Sequence, residues 1–146
     1  MEFRKYEYKI EEDYYSDKLE ISNFLFTHLE KYGDKLESIE MAMDYAVSEK
    51  KGNGGFILVG YEDDTIVGAV VINETGMGGY IPENILVYIA VHSNYRGKGY
   101  GKKLIEKAIA ESEGDIALHV EADNPAKRLY EKIGFTNPYL EMRFKK

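Results

Sequence analysis

The run His92-Ser93-Asn94-Tyr95-Arg96-Gly97-Lys98-Gly99-Tyr100-Gly101-Lys102 brings three alternating glycines and three cations together in one short segment. An apolar stretch from Ile85 to Val91 leads into it, and an amphipathic helical pattern leads out. Glycines remove Cβ atoms, so the backbone can approach a ligand closely and adopt positive φ. The first N–H groups of a helix have no internal partner, and the helix dipole favours negative charge there. Arg96, Lys98 and Lys102 add formal charge at the same place. Residues of these types at a strand-to-helix junction suit a pyrophosphate.

Spacing separates this loop from two well-known phosphate motifs. A Walker A loop needs a Gly five residues before its Gly-Lys and a Ser or Thr after it. Counting back from Gly101-Lys102 reaches Arg96, and Lys103 follows, so that pattern fails. A dinucleotide fingerprint needs a third glycine at the sixth position after a first strand. Starting from Gly97, that position is Lys102, and several strand patterns precede the loop. A second block, Asn124-Pro125-Ala126 through Tyr130 to Gly134-Phe135, lies one strand pattern downstream.

Arg96-Gly97-Lys98-Gly99-Tyr100-Gly101 resembles the R/Q-x-x-G-x-G/A loop of the GCN5-related N-acetyltransferases (GNATs). The block from Asn124 to Phe135 is similar to the downstream signature of the same family. The resemblance runs from about Ile85 to Phe135. It implies acetyl-CoA as cosubstrate, with its pyrophosphate on residues 96–102 and its pantetheine arm on backbone groups of Ile89 and Val91. It also implies an acetyl transfer by direct attack of a primary amine in a ternary complex, with a backbone N–H of that strand as oxyanion donor. Tyr130 matches the family tyrosine that protonates the departing sulfur or holds it by a hydrogen bond. Its phenol pKa of about 10 lies above a thiol near 8.5, so the transfer is slightly uphill. Asn124 precedes Pro125, a favoured first helical residue, and can cap the helix as well as order the site. Lys127 has two readings, a phosphate contact or a solvated helix lysine.

The general base is not fixed by these motifs. Ile85 to Val91 contains no carboxylate, and strict alternation puts Ile85, Val87 and Ile89 on one face and Leu86, Tyr88 and Ala90 on the other. Glu83 just before that stretch and Glu121 after the next strand pattern are the base candidates, with His119 beside the latter and a bridging water as a further route. Two other readings stay open: a CoA-binding regulatory module without turnover, and transfer to a hydroxyl or of a longer acyl group.

Composition bounds the rest. At 146 residues the chain suits one domain with a buried core, an acceptor-side part over about 1–50 and a cofactor-binding part over about 85–135. There is no cysteine, and His28, His92 and His119 are scattered, so neither a disulfide nor a metal site is expected. The net charge of −7 argues against nucleic acid as partner. Residues 1–64 hold 8 Lys and Arg against 16 Asp and Glu, whereas residues 65–146 hold 11 against 10. An acidic first half suits a cationic small-molecule or peptide amine approaching from that side. No apolar run suggests a membrane span, and the N-terminal residues lack a secretory pattern, so a cytoplasmic monomer or homodimer is expected.

Hydrophobic periodicity predicts strands over 3–10, 56–61, 65–72, 85–91 and 116–120, with closing β structure over 135–144. It predicts helices through Leu19–Leu29, Leu36–Val47, residues 103–111 (stripe Leu104, Ile105, Ala108, Ile109) and 125–133. Gly52-Asn53-Gly54-Gly55 reads as a turn, Glu62-Asp63-Asp64 as a hairpin, and Glu74 to Tyr80 as a loop over the sheet. The order β-α-α-β-β-β-α-β-α-β is mixed α+β: a central, mostly antiparallel sheet with helices on both faces, similar to the GNAT fold.

Overall fold

The computed structural model describes residues 1–8, 13–48 and 54–146. Five strands form one sheet in the order β1-β2-β3-β4-β5: Glu2–Tyr6, Gly55–Glu62, Thr65–Glu74, Asn84–Val91 and Ile116–Ala117. The first four pair antiparallel, and β4 pairs β5 in parallel. Two helices, α1 (Tyr14–Leu29) and α2 (Leu36–Ala46), cover one face. The other face is covered by α3 (Tyr100–Glu111), and α4 (Ala126–Ile133) packs beside α3. No helix among the described residues is long and apolar enough to cross a membrane.

Each face of the sheet carries its own core. Ile21, Leu25, Ile39 and Met43 from α1 and α2 meet Ile57, Val59, Ala69 and Val71. Leu104 and Ala108 of α3 meet Leu58, Val70, Ile72 and Leu86 on the opposite face. Ile109, expected in the α3 stripe, is instead exposed at the rim of that helix. A Cβ on Gly68 would sit 2.3 Å from Leu104 Cδ1, so this glycine lets α3 settle directly on β3.

The register of β4 departs from strict alternation at the position that matters most. Val71 pairs Tyr88 while Ile72 pairs Leu86, so Val87 is the extra residue of a β-bulge. Val87 and Tyr88 therefore both face the α1/α2 core, followed by Ala90, while Leu86, Ile89 and Val91 face α3. This corrects the alternation expected from sequence, because one inserted residue exchanges the faces of all that precede it. The parallel ladder to β5 joins only Asn84 to Ile116 and Ile85 to Ala117, stopping just short of the bulge.

Two other expectations change. Lys9, Ile10, Gly52 and Asn53 lie outside the described residues, and β1 ends at Tyr6. Residues 135–146 form no strand. Tyr139, Leu140, Met142 and Phe144 are 85–91% exposed although Leu140, Met142 and Phe144 alternate with charges. That alternation is a strand pattern without a strand to pair with, because β5 is two residues long.

Leu104 is fully buried between β3, β4 and α3. Leu104→Ala is expected to lower unfolding stability by about 2–5 kcal/mol, the range for a leucine whose cavity cannot fully collapse. Denaturant titration checks it, with an unchanged midpoint as the contrary result.

Candidate functional site

The site begins where β4 loses its neighbour. His92 N–H donates to Val67 O at 2.8 Å. In an antiparallel ladder successive residues point their backbone groups to opposite sides. His92, Ala90 and Tyr88 thus turn toward β3, and the N–H and C=O groups of Ile89 and Val91 turn toward the open edge. The chain of β5 has already left that edge after Ala117.

The glycine loop closes the end of the split. A 3-10 turn over Ser93–Tyr95 follows β4, with the His92 Nδ1 accepting from the Asn94 N–H at 3.1 Å. Gly97 and Gly99 have φ of 78° and 84°, in the left-handed region. A Cβ at either would meet nothing within 4 Å, so backbone conformation, not internal crowding, calls for glycine there. Gly101 is different: a Cβ would lie 3.2 Å from Leu129 Cδ2, so its absence lets α4 approach the first turn of α3. None of the backbone N–H groups from Gly97 through Lys102 has a hydrogen-bond partner among the described residues. Lys103 N–H is the first to be used, donating to Gly99 O at 3.2 Å. A row of free N–H donors at a helix N-terminus has the chemistry to receive an anion.

The cations divide by role. Arg96 is committed to the protein: Nε donates to Val91 O at 3.3 Å, Nη2 to His28 O at 2.8 Å, and Nη1 pairs with Glu30 Oε1 at 3.3 Å. Its fork ties the loop to the end of α1. Lys98 lies over the Tyr95 ring at 5.2 Å, and Lys102 is exposed on the first turn of α3. The Tyr100 hydroxyl donates to Glu62 Oε1 at 2.8 Å, turning its side chain away from the loop's N–H groups and onto β2.

On the far wall, Asn124 Oδ1 accepts from the Ala126 N–H at 2.9 Å and caps α4. Lys127 is half-buried on the same turn. Tyr130 is buried against Phe135, with ring centroids 5.7 Å apart. Its hydroxyl has no hydrogen-bond partner among the described residues, and since no sealed polar side-chain atom is left unpaired there, the oxygen keeps an opening to solvent. Burial pushes its phenol up to about 12.

The family model for the acetyltransferase (GNAT) domain matches residues 53–137. The chain belongs to the GNAT acetyltransferase family. A 5-NmdU N-acetyltransferase of Pseudomonas phage PaMx11 is 35% identical over 91 residues, which is 61% of this chain and 63% of that protein. The chain thus spans under two thirds of that relative. Among solved structures, a ribosomal-protein-alanine N-acetyltransferase from Brucella melitensis superposes with a TM-score of 0.64 at 18% identity, over 100% of both chains. An aminoglycoside antibiotic 6'-N-acetyltransferase from Acinetobacter haemolyticus gives 0.64 at 21%, over 100% of this chain and 98% of that one. At these identities the two structures share the GNAT fold with this chain.

Within this GNAT fold the two base candidates part company. Glu83 precedes β4 at the closed end of the split, about 25 Å of strand away from Val91. Its Oε1 accepts from the Asp115 N–H at 2.7 Å, and that bond holds its carboxyl below the usual range. Glu83 therefore fastens the start of β4 to the approach to β5. Glu121 and His119 are exposed on the stretch that continues from β5 toward α4.

Two clusters were hidden in the sequence. His28 and His92 stack with centroids 4.2 Å apart, and Ser93 N–H donates to His28 Nδ1 at 3.2 Å. Tyr88 donates from its hydroxyl to Asp34 Oδ2 at 2.5 Å, and burial followed by that carboxylate pushes its phenol up, so it remains a donor. Neither pair is close in sequence, and no spacing signal links its members.

Burial, then the charges of His92 and Arg96, lower His28 below its ordinary value. The folded state binds this proton less readily than the unfolded chain does. Its contribution is full above a pH of about 6.5 and declines as pH falls below that. The parent's thermal midpoint should accordingly drop more between neutral pH and mildly acidic pH than that of His28→Phe. Equal drops would show that His28 titrates as it does when unfolded.

Proposed function

We propose that this chain transfers an acetyl group from acetyl-CoA to a primary amine of a small molecule or peptide, by direct attack with both substrates bound. The observation that carries this reading is the row of unpartnered N–H groups from Gly97 to Lys102, set at the end of a strand whose edge is open. Those donors suit a pyrophosphate, with Lys98, Lys102 and Lys127 adding charge around it. Tyr100 enters through its backbone N–H, since its hydroxyl is bound to Glu62. Arg96 holds the loop in place instead of reaching the phosphates. The name of the phage N-acetyltransferase relative supports a nitrogen acceptor.

The open edge of β4 suits the pantetheine arm. The N–H and C=O of Ile89 and the N–H of Val91 can pair with it as with an added strand. Acetyl-CoA supplies an activated acyl carbon and a thiolate leaving group. A backbone N–H near the bulge then serves as donor to the carbonyl oxygen as charge develops there. Tyr130 faces the leaving sulfur in this reading. With its phenol near 12 and a free thiol near 8.5, outright proton transfer is uphill by more than three pH units. Its hydroxyl therefore serves chiefly as a hydrogen bond that tightens as the sulfur gains charge. Glu121, directly or through water, takes the proton from the acceptor nitrogen.

Gly99→Val puts a branched side chain into empty space beside the free N–H groups and forces a residue that avoids φ of 84° into it. Calorimetry should show CoA affinity reduced by about tenfold or more, as expected for losing even one charge-assisted bond. Unchanged affinity would remove the loop from the reading. Tyr130→Phe should cut turnover by about 10- to 1,000-fold while the CoA dissociation constant stays put. Turnover equal to the parent's would reduce Tyr130 to packing.

A further inference from the structure

The loop between α1 and α2 is fastened to both walls of the split. On one side Tyr32 donates from its hydroxyl to Asp123 O at 3.1 Å, and Lys31 Nζ pairs with the Asp123 carboxylate at 3.2 Å. Asp123 immediately precedes Asn124, the cap of α4. On the other side Asp34 accepts the bond from Tyr88, the β4 residue next to the bulge. Residues 31–34 thus bridge the opening on the α1/α2 face, opposite α3.

Among the described residues three aspartates accept from a buried tyrosine hydroxyl: Asp17 from Tyr6, Asp44 from Tyr14 and Asp34 from Tyr88. Asp17 pairs with Arg4, Asp44 with Lys18, Glu30 with Arg96 and Asp123 with Lys31. Asp34 is exposed and pairs with no cation among the described residues. Its Oδ2 is instead oriented by a hydroxyl whose ring is 8% exposed, which leaves Oδ1 for a group from solution. A carboxylate oriented by a neutral donor at a cleft mouth suits a cation with N–H groups.

We infer that Asp34 docks the ammonium of the acceptor, and that Tyr88 is the positioning residue that aims it at the bulge of β4. This rests on the acetyltransferase reading above and names the side chain that selects its amine. An acceptor carrying a second ammonium, or held as an ammonium before losing its proton, is favoured over a neutral nucleophile of the same size. Asp34 makes this choice by charge. Tyr88 acts through Asp34, by holding one carboxylate oxygen so that the other faces the opening.

Two probes test it, with acetyl-CoA as donor: 1,4-diaminobutane, cationic at neutral pH, and hydroxylamine, which is neutral there. Asp34→Asn keeps an oxygen to accept from Tyr88 and removes the charge. It should raise KM for 1,4-diaminobutane by about 10- to 100-fold, the range of one charge-assisted bond, with kcat on hydroxylamine within twofold of the parent. Tyr88→Phe should raise the same KM by a smaller factor, and Asp34→Glu should recover part of the loss. Equal losses on both probes would mean that Asp34 only braces the loop, and an unchanged KM would overturn the assignment. A parent that acetylates hydroxylamine but not the diamine also overturns it. A parent that acetylates neither probe overturns the inference that a bare ammonium is selected here, while the acetyltransferase reading is judged separately by whether the same protein binds acetyl-CoA in calorimetry.

Discussion

Backbone N–H and C=O groups that lose a strand partner must find another or face solvent, and β4 is built around that requirement. Its first two residues are satisfied on both sides, by β3 and by β5. Beyond the bulge at Val87 the β5 side is open, and the groups of Ile89 and Val91 point into it. A short parallel ladder, fixed at its base by Glu83 on the Asp115 N–H, opens into a wedge. The glycine loop and α3 sit at the wide end of that wedge, and α4 stands on its far side.

The loop at the wide end is held from outside by α1. Arg96 bonds the His28 carbonyl, the Val91 carbonyl and Glu30, while the stacked His28 and His92 rings accept from the Ser93 and Asn94 N–H groups. With the Tyr95 N–H on the His92 carbonyl, the donors of residues 93–95 are used, while those from Gly97 to Lys102 have no partner among the described residues. The left-handed turn at Gly97 separates the used N–H groups of residues 93–95 from the free ones that follow it. Preorganised donors of this kind need no rearrangement when an anion arrives.

The parts legible in sequence were those written locally. Glycine spacing at a strand-to-helix junction located the loop, helical periodicity located α1, α2 and α3, and Asn124-Pro125 announced the start of α4 and its cap. What escaped depended on distant contacts. The bulge at Val87 lies in an unbroken apolar run, so nothing in its composition signals that two neighbours share a face. Arg96 reads as a phosphate ligand beside glycines, and only the folded chain brings Glu30 and the His28 carbonyl to it. Glu83 reads as a base before the strand, and only the Asp115 N–H reveals it as a fastener. The tail from Phe135 has strand alternation but no neighbouring edge, since β5 is so short.

Residue-resolved amide shifts during an acetyl-CoA titration test the central claim most directly, because the claim concerns particular N–H groups. The account predicts that the largest changes fall on the amides of residues 97–102, followed by Ile89 and Val91. Amides of Asn84, Ile85 and Asp115, at the closed end of the wedge, should stay nearly still. Changes centred on that closed end, or none at all near the glycine loop, would contradict it.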